Sequence, residues 1–169
     1  RFLGKLQAAL DKGLRLVQLR EKQLPPAQLV EFGREVVARC HAAGARVVLN
    51  GAADVARQIG ADGLHLPAAD LLNCTARPDF ALVGASCHNP AELTHAASLA
   101  LDYALLGPVL PTLTHPDATP LDWDGLSTLL ASGYALPVFA LGGLTGDDLN
   151  HARACGAHGV ALMRAAWEE

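Results

Sequence analysis

The sequence predicts an α/β fold, with a (β/α)8 barrel of parallel strands as the leading architecture. Three observations predict it. Short apolar runs alternate with helical patterns from one end of the chain to the other. The runs are nearly unbroken in Val, Leu and Ala, as expected where both faces of a parallel sheet are covered. Polar residues and glycines gather just after the runs, at what would be the carboxyl ends of the strands. A doubly wound open sheet is the alternative. The pattern holds seven strands and starts on a helix, and a barrel lacking a strand would expose bare edges. The opening strand of an eight-stranded barrel is therefore expected upstream of Arg1.

Each element has a local reason. Apolar residues at helical spacing (Phe2, Leu3, Leu6, Ala9, Leu10) predict a helix over 2–12, with Gly13 beyond its end. A first strand over 14–19 runs into Arg20-Glu21-Lys22. Pro25-Pro26 starts a long helix reaching towards Gly44, since proline suits the first helical turn. A strand over 45–49 lands on Asn50-Gly51, and a short helix over 53–59 stops at Gly60. A third strand over 63–66 is followed by a loop holding Asp70. The fourth, 80–85, ends in Ser86-Cys87-His88, and Asn89-Pro90 opens a helix reaching 101. A fifth strand over 103–106 gives way to a long loop, 107–122, with Thr112, Thr114 and His115. A helix over 124–132 leads to an apolar run at 136–141, then Gly142-Gly143. Thr145 with Asp148 has the spacing of a capping box, so a helix starts there. A last strand over 159–163 ends at Arg164, where a final helix is expected to begin.

With 169 residues, of which 51% are hydrophobic, one domain spanning 1–169 is expected. A net charge of −4 provides no basic field and argues against nucleic acid as a partner. No run is long enough to span a bilayer, and no signal-peptide pattern opens the chain. Four cysteines lie far apart, a spacing poor for zinc and ordinary for reduced thiols, so the cytoplasm is the expected compartment. The first residue is Arg1 rather than Met, which suggests a trimmed terminus or a longer parent chain. Homo-oligomerisation is left open.

Position, more than composition, marks the candidate site. Gln18, Arg20 and Lys22 close one strand, Asn50 the next, and Asp70 follows the third. Ser86 and His88 close the fourth, Thr112, Thr114 and His115 follow the fifth, and Gly142-Gly143 follow the sixth. In a barrel these share one mouth. Arg20 and Lys22 offer a forked donor and a point charge, a pair suited to phosphate. Asp70 suits magnesium, and His88 suits acid–base work near neutral pH. Gly142, Gly143 and the backbone of Met163 and Arg164 are expected to form a phosphate cup, because bare peptide N–H groups cradle anions. Each has a plainer reading. On it the glycines make only a tight turn, the cations a solvated strand exit, Asp70 a helix cap, and His88 an ordinary hydrogen-bonded histidine.

The stretches VQLREK (17–22), LNGAADVA (49–56), GADGLHLPAAD (60–70), GASCHN (84–89), GPVLPTLTH (107–115), ALGGLT and GVALM together resemble the thiamine phosphate synthase family and its relative thiazole tautomerase. The likeness runs in order over almost the whole chain and implies a (β/α)8 barrel without its opening strand. Family synthases join hydroxymethylpyrimidine diphosphate to thiazole phosphate. Carried over by position, the resemblance implies that Gln18, Arg20, Lys22 and Asn50 hold the pyrimidine diphosphate and that Asp70 binds Mg2+. It further implies that Ser86 contacts the pyrimidine or its diphosphate, and that Thr112, Thr114, Gly143, Met163 and Arg164 bind the thiazole phosphate.

Two departures stand out. The family's Asn-Asp pair reads Asn50-Gly51 here, and the lysine after its T-x-T pair reads His115. Both remove charge aimed at a departing diphosphate, which puts synthesis in question. Thiazole tautomerase needs neither metal nor diphosphate departure, and its histidine falls at His88. Divergent relatives also occur fused behind a Nudix hydrolase domain, so a ligand-binding or structural appendage is a third reading.

Overall fold

The computed structural model describes residues 2–114 and 116–167. His115, one of the candidate site residues, lies outside the described residues. Helices and strands alternate in the expected order. They are α1 (Phe2–Asp11), β1 (Leu16–Leu19), α2 (Pro26–Ala42), β2 (Arg46–Leu49), α3 (Ala53–Ile59) and β3 (Gly63–Leu66), then α4 (Ala68–Asn73), β4 (Leu82–Cys87), α5 (Pro90–Ser98) and β5 (Tyr103–Leu106). α6 (Asp122–Leu130), β6 (Val138–Leu141), α7 (Leu149–Ala154) and β7 (Gly159–Ala161) complete the set. The α/β class is as the alternation predicts. The chain divides into two compact units, Arg1–Leu66 with Pro78–Val83, and Pro67–Arg77 with Gly84–Glu169.

In the first unit β1, β2 and β3 form a parallel ladder, with Val17 beside Val47 and Leu49 beside Leu64. Their side chains are buried almost throughout, because helices cover the ladder. α2 turns Gly33, Val36, Val37 and Cys40 inward, a spacing of three and four residues that keeps one face apolar. Gly33 lets α2 lie close on α3, since a Cβ there would come 2.9 Å from Ile59 Cγ2. Gly60 ends α3 in the left-handed region at φ 73°, the conformation glycine adopts most freely. Asp62 ties β2 down: its carboxylate accepts from Val47 N–H at 2.7 Å and faces His41 Nε2 at 2.9 Å.

In the second unit β4 from Gly84 onward, β5, β6 and β7 form a parallel ladder. A row of residues runs across it. The Tyr103 ring fills the space a side chain at Gly84 would need, and it meets Phe139 edge-on at 6.2 Å. Phe139 in turn packs over Gly159 and against His158 at 5.2 Å. Glycines therefore stand where bulky rings on the neighbouring strand must fit. Arg77 clamps the unit by donating to Ala100 carbonyl at 2.5 Å and to Asp102 Oδ2 at 2.6 Å.

Two expected elements differ. Asp70 does not lie in a loop but in the first turn of α4, which starts directly after Pro67. The proline presets the backbone, and buried Leu71 gives the short helix its anchor. The helix expected from Arg164 is, over the described residues, a bend and a turn closed by Trp167 N–H on Arg164 carbonyl at 2.9 Å. Element ends also shift by one to three residues, β4 and α6 among them.

Candidate active site

The first unit carries Gln18, Arg20, Lys22 and Asn50 at the carboxyl edge of its ladder. Because β1 and β2 are parallel and in register, Gln18 and Asn50 end close together, and Asn50 Nδ2 donates to Gln18 Oε1 at 3.0 Å. Asn50 N–H is held by Leu19 carbonyl at 2.9 Å, which fixes the strand exit. Beyond it, Glu21 Oε1 accepts from Gln23 N–H at 2.7 Å and so closes the turn. Arg20 and Lys22 are exposed, and among the described residues neither has an ion-pair partner. Two open cations beside a polar amide pair can receive an anion.

Gly51 is exposed, and the nearest atoms to a Cβ placed there would be those of the Leu49 side chain, at 3.4 Å. Nothing in the backbone therefore forbids a carboxylate at this position. The sequence lacks one.

The second unit gathers the other candidates at the carboxyl edge of its own ladder. Ser86 is the next-to-last residue of β4, and His88 follows the strand directly. His88 is half exposed, with Nδ1 3.1 Å from Glu92 Oε2. The same oxygen accepts from His88 main-chain N–H at 2.6 Å. Asn89 caps α5 by accepting from Glu92 N–H at 2.9 Å. Burial, with the Glu92 charge as a second cause, pushes the neighbouring Cys87 thiol up to about 12, so it is inert as a nucleophile near neutral pH.

The long loop after β5 is stitched at its neck. Val109 N–H donates to Leu141 carbonyl and Leu110 N–H to Gly142 carbonyl, at 2.9 and 3.0 Å. Leu121 N–H and Asp122 N–H return to Pro108 and Val109 carbonyls at 2.9 and 2.8 Å. Thr112 and Thr114 stand beyond the neck, with Thr114 N–H on Thr112 Oγ1 at 3.3 Å. Gly142 and Gly143 adopt φ of 106° and 68°, which glycine alone enters readily. Side chains there would also collide with the loop: a Cβ at Gly142 would be 2.7 Å from Pro108 Cα, and at Gly143 2.6 Å from Pro111 carbonyl oxygen. The glycines thus have a packing reason alongside any role in binding. The N–H groups of Gly143, Met163 and Arg164 donate to no acceptor among the described residues. Thr145 and Asp148 form the expected capping box, Thr145 N–H reaching Asp148 Oδ2 at 2.8 Å.

Asp70 is exposed in the first turn of α4, and no cluster of three or more His, Cys, Asp or Glu side chains suited to a metal occurs among the described residues. Open clefts of about 530 Å³ between α1 and α2, and about 320 Å³ near the amino ends of β6 and β7, contain none of the candidates. Glu92 is the residue the sequence reading missed. Its signal was the Asn89-x-x-Glu92 spacing of a helix start.

The remaining histidines have structural partners. His41 pairs with Asp62, His95 Nε2 lies 3.0 Å from Cys74 carbonyl, and His151 stacks on Trp123 at 4.0 Å. His65 is fully buried, and burial holds it down to about 4, so it stays neutral.

A sequence model of the thiamine monophosphate synthase family matches residues 1–166. The chain belongs to that family. The thiamine-phosphate synthase of Streptococcus suis is 34% identical over 98% of this chain and 75% of its own length. That of Methanospirillum hungatei is 33% identical over 93% of this chain and 78% of its own. Among solved structures, the thiamine phosphate pyrophosphorylase of Pyrococcus furiosus superposes with a TM-score of 0.82 at 25% identity, covering all of this chain and 83% of that one. No helix is long and apolar enough to cross a membrane among the described residues.

Proposed function

We propose that this chain acts in thiamine biosynthesis as a transferase, joining an aminopyrimidine diphosphate to a thiazole phosphate to give thiamine phosphate. The family match across residues 1–166 carries this reading. The geometry supports it with donors suited to anions at the carboxyl edge of each ladder. In the reaction the bond from the pyrimidine methylene carbon to the diphosphate oxygen breaks, and its electron pair leaves with the diphosphate. The thiazole nitrogen then donates its lone pair to that carbon, giving the thiazolium product. No net proton is consumed.

What the chain supplies is charge and position. Arg20 and Lys22 neutralise the departing diphosphate, while the Gln18–Asn50 pair orients it. Ser86 contacts the pyrimidine or its diphosphate. Thr112 and Thr114, with the peptide N–H groups of Gly143, Met163 and Arg164, seat the thiazole phosphate. Magnesium fits only as an ion shared with the substrate, because Asp70 is the single family carboxylate left and phosphate and water must supply its other oxygens. When bound, it would add positive charge at the leaving group. The fold that accompanies this reading is the eight-stranded barrel.

Gly51 and His115 favour a second reading. With one carboxylate and one fixed cation gone, the site would hold its ligand without turnover, as a binding domain such as one appended to a Nudix hydrolase. A tautomerase would need only His88. The deciding experiment mixes both synthase substrates with magnesium and follows thiamine phosphate. Product formation supports the transferase, and its absence at high enzyme concentration rejects it. Calorimetry with thiazole phosphate alone then separates a retained binding site from none.

A further inference from the structure

Glu92 is almost fully buried, at 8% exposure, yet it points one oxygen at two nitrogens of the same residue. A buried carboxylate oxygen can only accept, so it requires donors. The main-chain N–H of His88 is one donor at 2.6 Å. The second neighbour, Nδ1 of the His88 ring at 3.1 Å, relieves the carboxylate only when it carries a proton. With Nδ1 bare, two lone pairs would face each other at that distance. We propose that Glu92 is a positioning residue that fixes His88 as the Nδ1–H tautomer, so that Nε2 is reserved as an acceptor for an N–H or O–H of the substrate.

Local structure supports this arrangement. Asn89 holds Glu92 N–H at 2.9 Å, so the first turn of α5 sets where the carboxylate starts. The His88 side chain is 53% exposed, and Nε2 lies across the ring from Glu92. A merely structural Glu92 would need only the main-chain bond. The ring contact is what gives it a chemical consequence.

The proposal rests on reading His88 as part of the site but not on turnover, and its test does not require activity. The nitrogen-15 resonances of His88 in the whole chain, at a pH where its ring is neutral, report the tautomer directly. The expected result is a pyrrole-type Nδ1 and a pyridine-type Nε2. In Glu92→Leu the oxygen that Nδ1–H donates to is gone, so the preference for Nδ1–H should be lost and the two resonances should move towards the Nε2–H form that an unconstrained imidazole favours. A pyridine-type Nδ1 in the unaltered protein overturns the proposal, as does a tautomer indifferent to Glu92→Leu. Should that variant fail to fold, the resonances of the unaltered chain decide alone. Thiamine phosphate formation measured alongside keeps the two questions apart. Product with the wrong tautomer sinks only the role of Glu92, and the right tautomer without product sinks only the synthase reading.

Discussion

Gly51 stands where the family resemblance implies an aspartate. Its surroundings admit a Cβ, since the nearest atoms, in the Leu49 side chain, lie at ordinary contact distance. Gly51→Asp is therefore expected to fold normally and to raise the rate of thiamine phosphate formation roughly a hundredfold, the usual worth of one well-placed charged or hydrogen-bonding group. Steady-state kinetics at fixed magnesium would check it, and an unchanged rate would show that the carboxylate is not what limits the reaction. Gly143 behaves in the opposite way. Gly143→Ala places a side chain at φ 68° and against Pro111 carbonyl oxygen, so it should cost about 1–2 kcal/mol in thermal unfolding and weaken thiazole phosphate binding in calorimetry. At this scale the sequence was informative about residue types at strand ends but not about partners. The Gln18–Asn50 contact depends on the register of two strands, which no local pattern specifies. Glu92 went unnoticed because its carboxylate bypasses its own cap residue for the residue before it.

Among the elements, strands were the easiest to foresee, because four nearly continuous apolar residues between glycines leave few alternatives. β3 and β5 fall where the apolar runs end, while α4 escaped notice. A six-residue helix with one fully buried leucine shows no periodicity to detect. The same scarcity of contacts explains why α4 needs help from Arg77, which lies beyond its end and fastens the segment to the α5–β5 connection through Ala100 and Asp102. Arg77→Ala is expected to lower stability by about 1.5–3 kcal/mol, the cost of hydrogen bonds to a charged group, read as a drop in the urea midpoint with an unchanged slope. A midpoint left unmoved would mean that α4 is held by packing alone. After Arg164 the described residues form a bend and a turn instead of the expected helix.

For the molecule as a whole, acid sensitivity follows from two groups in the first unit. His65 is held down to about 4 by burial, against an ordinary value of 6.5, so the unfolded chain takes up its proton first. Its contribution to stability is intact above 6.5 and falls as the pH drops towards 4. Asp62 is held below its ordinary 3.8: burial alone would raise it, but the Val47 N–H and His41 outweigh burial. Its contribution is present above 3.8 and is lost as the pH falls further. Stability should thus decline in two stages below pH 6.5. His65→Gln should flatten the upper stage and Asp62→Asn the lower, each visible in unfolding midpoints measured across pH. The α/β alternation that sets this architecture was plain in the sequence, whereas the division into two compact units was not, because it depends on contacts far apart along the chain.

The stitched neck after β5 has one more implication. Four main-chain hydrogen bonds gather residues 108–110, 121–122 and 141–142 into a collar that uses no side chain. Whatever lies above such a collar is mechanically insulated from the sheet below, so evolution or an engineer can exchange the tip bearing Thr112 and Thr114 without renegotiating the core. On the proposed reading, in which Thr112 and Thr114 seat the thiazole phosphate, the part that sets ligand preference is exchangeable in the way a tool head is, while the handle stays the same.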